Sequence, residues 1–383
     1  MMAHSENGWS QAASMLPVVW ILGTSGVGKS TVGYRLMTDL GLAGGEAAFV
    51  DADQLRLAHG VRATETELVA SALPGLDRGF RAAGARVLVV ASLADSREHL
   101  EALLPGVPRA EILAVHLVAS PETIRERVRQ RGWRVDLADE AVRYADRIDP
   151  GLADLRLETG QQSPSDLSAA IRDKILARLG NTPGGAQSLA EYSPAAPGRI
   201  IMLTGPGGAG LSTVGFQLFS TLARGGGPVG YLDTKQVGFL AIERDKAALA
   251  SLRTANAYAL ASSLAEGGAR TVVISGEPGV IACLHGLYGA DAAVIFWLHA
   301  SPAALADRIT RRSRGDGPKI QGDDRIGLTG QALDQSIAAA IGESRNVSLR
   351  PQAAKVIDTT AMNAAEVADA VRDALSSKRE SRG

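Results

Sequence analysis

Short apolar runs rich in branched residues alternate along this chain with longer stretches whose apolar positions recur at helical spacing. Pro17–Leu22 is a continuous apolar run and Ser30–Leu40 an amphipathic stretch, with only a glycine-rich turn between them. Arg86–Val90 repeats the strand signal and Asp166–Leu179 the helical one. Strands this apolar are buried on both faces. The alternation therefore predicts an α/β fold of βα units, each parallel sheet sandwiched between helices.

The pattern is written twice. Leu16–Gly28 (LPVVWILGTSGVG) is answered by Arg199–Gly210 (RIIMLTGPGGAG), and Phe49–Leu55 (FVDADQL) by Tyr231–Val237 (YLDTKQV). Gly23 and Gly205 stand 182 residues apart, as do Asp51 and Asp233. Gly84–Val90 then matches Gly268–Ile274, and His116–Arg131 matches Trp297–Arg312. A strand, turn and helix over 157–179 match those over 356–375, after a longer insertion in the second half. Self-similarity in the same order predicts a tandem duplication. Gly180–Gly198, rich in Gly, Pro, Ser and Ala, reads as a linker. The expected organisation is a flexible tail over 1–15, an intact domain over 16–180, a linker over 181–198 and a degenerate second domain over 199–378.

The chain has 383 residues, enough for two cores, and its 45% hydrophobic and 21% charged residues suit a globular protein. A net charge of −1 supplies no basic field for nucleic acid, so neither DNA nor RNA is expected as a partner. The single cysteine, Cys283, permits no internal disulfide and fits a cytoplasmic location. Met1–Met15 holds no Lys or Arg, and no apolar run is long enough to span a bilayer, so no signal peptide, anchor or membrane contact is expected. Self-association stays open.

The chemistry concentrates in Gly23–Ser30 (GTSGVGKS), which fits G-x-x-x-x-G-K-[ST]. Gly23, Gly26 and Gly28 let the backbone turn tightly through Thr24, Ser25 and Val27 and aim its N–H groups at phosphate oxygens. Lys29 brings a point charge to the β- and γ-phosphates, Ser30 a hydroxyl to Mg²⁺, and Thr31 a further phosphate contact. A predicted strand before the loop and a helix after it supply the context that this motif requires. A nucleoside triphosphate, ATP with Mg²⁺, is the expected ligand.

Asp51 and Asp53 fall at the end of the second predicted strand, on the sheet edge where open α/β folds bind ligands. Two residues apart on a strand, they would face one side and could bracket Mg²⁺ and a substrate hydroxyl. The other reading is that they cap a turn. Arg127 and Arg131, four apart on a helix, would turn two guanidinium groups toward transferred phosphate, and Arg308 and Arg312 keep that spacing. Arg125 and Arg129 read better as a solvated face.

From Leu16 to Leu179 the chain resembles the P-loop kinases of small molecules, the group of adenylylsulfate, gluconate, shikimate and nucleoside monophosphate kinases. GTSGVGKS, the D-x-D-x-x-R run Asp51–Arg56, SPETIRERVRQR and the Glu158-Thr159-Gly160 turn carry the resemblance. It implies two tandem P-loop NTPase domains and ATP-dependent phosphoryl transfer to a small-molecule acceptor. In such kinases the second Asp of the pattern, here Asp53, orients or deprotonates the acceptor, and the first, Asp51, supports the metal. Arg127 and Arg131 would neutralise transition-state charge at the base of a mobile lid that carries Arg134. Arg56 would hold an anionic acceptor group, unless it is a surface residue. Thr159 would lie against the adenine, unless its segment is a plain strand-to-helix turn.

Two departures sharpen the picture. The strand Arg86–Val90 ends in Ala91-Ser92-Leu93 without the usual carboxylate, leaving Asp51, or Asp95, to serve the metal. In the second half Leu211 replaces Lys29 and Lys235 replaces Asp53, which predicts a catalytically silent copy that binds nucleotide weakly through its backbone, unless Lys235 replaces the lost charge and restores tight binding. A regulatory module, with ATP controlling the contact between halves and no acceptor phosphorylated, is the competing expectation.

Overall fold

The computed structural model describes residues 15–130, 135–178, 195–241 and 245–380. The tail expected over 1–15, save Met15, which packs against the core, and most of the linker expected over 181–198 fall outside the described residues. The first half runs β1 (Val18–Leu22), α1 (Lys29–Leu42), β2 (Ala47–Asp51), β3 (Ala58–His59), α2 (Glu65–Ala82) and β4 (Val87–Ala91). It continues through α3 (Arg97–Leu103), β5 (Ile112–Val118), α4 (Pro121–Gln130), α5 (Ala138–Ala145), β6 (Leu155–Glu158) and α6 (Pro164–Arg178). The second half runs β7 (Arg199–Thr204), α7 (Leu211–Arg224), β8 (Val229–Asp233), β9 (Phe239–Leu240), α8 (Lys246–Glu266) and β10 (Thr271–Ser275). Then follow α9 (Pro278–Tyr288), β11 (Ala293–His299), α10 (Pro302–Ser313), α11 (Gly330–Arg345), β12 (Lys355–Asp358) and α12 (Ala364–Glu380).

Two six-stranded sheets result, ordered β6-β5-β1-β4-β2-β9 and β12-β11-β7-β10-β8-β3. The first five strands of each are parallel, as the apolar runs predict. The sixth is a correction to the expected parallel sheets, because each half lends the other an antiparallel edge strand. Phe239 pairs with Phe49 and Leu240 with Ala48, while Ala58 pairs with Gly230 and His59 with Val229. Strands of two residues carry too little alternation to be read from sequence. Their partners would otherwise present bare edges, which sheets must cover.

The seam between the halves is a second consequence of the exchange. Helices α2 and α8 pack against each other there, and small residues let them approach closely. A Cβ on Gly75 would stand 2.8 Å from that of Ala259, and one on Gly79 only 1.9 Å from Asn256 Oδ1. Asn256 cannot swing away freely, because it is fully buried and its Nδ2 donates to Val237 O at 2.6 Å. Ser71 and Ser263 hydrogen-bond across the same seam at 2.5 Å. Leu73, Leu76 and Phe80 of α2 join Leu260 and Leu264 of α8 in one continuous apolar core. Neither half buries its α2 or α8 face without the other.

That packing predicts the outcome of a single substitution. Gly79→Val would push a branched side chain into Asn256 and cost about 1–3 kcal/mol by overpacking. Urea unfolding should show a lower midpoint with a single transition reported alike by probes in both halves.

Candidate active site

The turn between β1 and α1 needs glycine for stated reasons. Gly23, Gly26 and Gly28 all have positive φ, at 141°, 90° and 97°. A Cβ on Gly23 would lie 2.5 Å from Leu117 O, whereas Gly28 meets nothing within 4 Å, so there the left-handed backbone alone demands glycine. Gly28 caps α1 without a side-chain acceptor for the helix's first N–H groups. Those amides, with the positive end of the helix dipole, make the loop an anion cradle.

Side chains pin the cradle from three directions. Thr24 Oγ1 donates to Ala141 O of α5 at 2.5 Å, and Lys29 Nζ to Thr24 O at 3.0 Å. Arg127 on α4 lays one guanidinium nitrogen on Thr159 Oγ1 at 3.0 Å and the other on Thr159 O at 2.8 Å. Its Nη1 also faces Gly26 O and Val27 O at 3.5 Å. Arg127, expected to turn toward transferred phosphate, thus directs Nη1 and Nη2 to Thr159 and the loop carbonyls. Thr159, which the adenine was expected to reach, is buried and serves this clasp. Thr31 stands exposed in the first turn of α1. Arg131 and Arg134 lie outside the described residues.

The acidic pair is divided between two tasks. Ser30 Oγ donates to Asp51 Oδ2 at 2.5 Å, joining the start of α1 to the end of β2. The other oxygen of Asp51 accepts the Asp53 N–H at 3.0 Å. β2 stops at Asp51, and Ala52–Gln54 is a 3₁₀ turn that Asp51 caps. Asp53 therefore does not share a strand face with Asp51, a correction to the alternation argument, since an Asx cap ends the strand two residues before Asp53. The Asp53 carboxylate pairs with Arg56 at 2.5 Å, and Arg56 also pairs with Glu65 at the start of α2. Asp95, the alternative carboxylate, meets His99 at 2.9 Å. Neither Glu65 nor His99 was among the expected residues, although Asp95 and His99 carry an i, i+4 signal.

Electrostatics mark Asp51. Burial first, and the charge of Asp53 second, raise its carboxyl from 3.8 to about 6, against the opposing hydrogen bonds of Ser30 and the Asp53 amide and the charge of Lys29. Hard oxygen donors from one hydroxyl and one carboxylate fit Mg²⁺, which keeps most of its shell for water and phosphate. Among the described residues no cluster of three or more His, Cys, Asp or Glu could hold a metal alone.

The second half repeats much of this frame. Arg308 reaches Thr359 Oγ1 at 3.0 Å and lies 3.5 Å from Ala209 O, as Arg127 does in the first half. Gly208 and Gly210 have positive φ. Lys235, at the position of Asp53, pairs loosely with Asp324 at 3.6 Å. A cavity of about 1050 Å³ opens there, walled also by Tyr34 and Met37 of α1.

Residues 18–145, which contain the first loop, match the family model of an AAA domain. Solved structures similar to the chain include a sugar kinase from Janibacter sp. HTCC2649, 20% identical over 45% of this chain and 99% of that one, with a TM-score of 0.31. The APS kinase of Mycobacterium tuberculosis, in complex with AMPPNP and APS, is 20% identical over 42% of this chain and 98% of its own, with a TM-score of 0.32. Shikimate kinase from Acinetobacter baumannii is 21% identical over 42% of this chain and 94% of its own, with a TM-score of 0.28. No curated protein matches the chain. Among the described residues no helix is long and apolar enough to cross a membrane.

The Asp51 shift predicts a pH dependence. A carboxyl raised in the folded state contributes stability that is full below its unfolded value and is lost as pH rises through its folded value. Without metal, wild-type stability should therefore fall relative to Asp51→Asn between about pH 4 and 6, with the gap open at pH 7. Urea midpoints of the two proteins across that range check it.

Proposed function

We propose that this chain, P-loop small-molecule kinase-like over residues 18–145, binds ATP in its first half and transfers the γ-phosphoryl group to a small acceptor. The observation that carries this reading is the Ser30–Asp51 contact set beside Lys29 at the mouth of a glycine cradle. Ser30 and Asp51 would hold Mg²⁺, which supplies charge neutralisation on the triphosphate. The loop amides and Lys29 hold the β- and γ-phosphates and keep the γ-phosphorus in line with the acceptor. Asp53, oriented by Arg56, accepts the proton of the acceptor hydroxyl as its oxygen bonds phosphorus and ADP departs. Arg127 acts as a positioning residue that holds the loop to the end of β6.

The second half reads best as a degenerate copy of the same unit. The same strand order and the same Arg–Thr clasp support this. Leu211 and Lys235 stand where the first half has Lys29 and Asp53. A regulatory role for nucleotide binding is favoured by one observation: β9 of the second half pairs with β2, the strand that ends in Asp51. A turnover assay across sugars, nucleosides, nucleotides and antibiotics separates the two readings by whether any acceptor gains phosphate.

Lys29→Ala should leave folding intact and lower kcat/KM by about 10²–10³-fold, the scale for removing one preorganised charge contact. Undiminished phosphoryl transfer by this variant would overturn the assignment.

A further inference from the structure

The second glycine loop holds a carboxylate of its own chain. Gly207 N–H donates to Glu343 Oε2 at 2.7 Å. Gly207 is the counterpart of Ser25, 182 residues earlier, in the middle of the first loop. A Cβ on Gly207 would lie 2.5 Å from Arg325 Nη2 and 3.4 Å from Glu343 Oε2, so both groups crowd the mouth of the loop. Arg325 is fixed in turn, its N–H donating to Asp323 at 3.0 Å while Asp323 pairs with Arg312. Glu343 gains nothing from its own helix, since a negative charge in the last turn of α11 opposes the helix dipole. Its oxygen meets instead the kind of amide that cradles phosphate in such loops.

We propose that the second loop is an anion site whose resident ligand is Glu343, and that this carboxylate competes with a nucleotide's phosphates for the loop amide. The inference rests on the first loop being the nucleotide loop, since it assigns Gly207 by correspondence. The insertion before β12 makes this segment longer than the one between α4 and β6, and α11 takes the place that α5 holds against the first loop. Loss of the loop lysine to Leu211 and occupation by Glu343 then act together. A phosphate group must displace a tethered carboxylate and would find Leu211 where the first loop has Lys29.

Amide shifts of the full-length protein, titrated with inorganic pyrophosphate, test both sites at once. In wild type the Gly26 amide should move while that of Gly207 stays. In Glu343→Ala both should move, with pyrophosphate affinity at Gly207 rising tenfold or more. Asp334→Ala, which removes a charge from α11 away from the loop, should leave Gly207 unmoved. The proposal falls if Gly207 titrates alongside Gly26 in wild type, if it stays still in Glu343→Ala, or if Asp334→Ala matches the effect. A silent Gly26 would instead count against the nucleotide reading of the first loop.

Discussion

The reciprocal loan of an edge strand constrains everything else in this molecule. Phe239 lies opposite Phe49 on β2, and Tyr34 of α1 packs edge-on against both rings, with centroids 5.1 Å and 6.1 Å away. Gly33 makes that approach possible, because a Cβ there would stand 2.5 Å from Phe49. The second half thus braces the two elements that carry Lys29, Ser30 and Asp51. Opposite them, Leu57 and the strand that follows it brace β8 in return. A site built on β2 and α1 is set by contacts from both ends of the chain.

Within that frame the two halves differ where chemistry, rather than folding, is at stake. The arginine–threonine clasp is present in each, so it serves the architecture. The cap of Asp51 on Asp53 recurs as Asp233 on Lys235 at 2.9 Å. What changes is the charge set over the loop. Burial raises the carboxyl of Asp51 and that of Asp233 alike, so the first half is set apart by Lys29 and Asp53. The second offers Leu211, a cation at Lys235 and the carboxylate of Glu343.

The parallel strands and the loop position were legible because they rest on long apolar runs and on glycine spacing, signals that act over five or more residues. The closeness of Ser30 to Asp51 follows from the same pattern, since the end of β2 lies beside the start of α1 in such a sheet. The exchanged strands were not, because Ala58–His59 and Phe239–Leu240 carry no periodicity of their own. The contacts of Arg127 with Thr159 were not legible: helical spacing places a guanidinium on a face but does not say which carbonyl waits there. Asp53 was placed on a strand because alternation ignores the turn that Asp51 caps. Glu343 gave no signal, as its partner lies 136 residues away.

The central claim is a chain with two similar halves and one nucleotide site, braced by its silent partner. Calorimetric titration of the full-length protein with AMPPNP and Mg²⁺ tests it most directly. The account predicts one site per chain, lost in Lys29→Ala; two sites of comparable affinity, or a single site that survives Lys29→Ala, would contradict it.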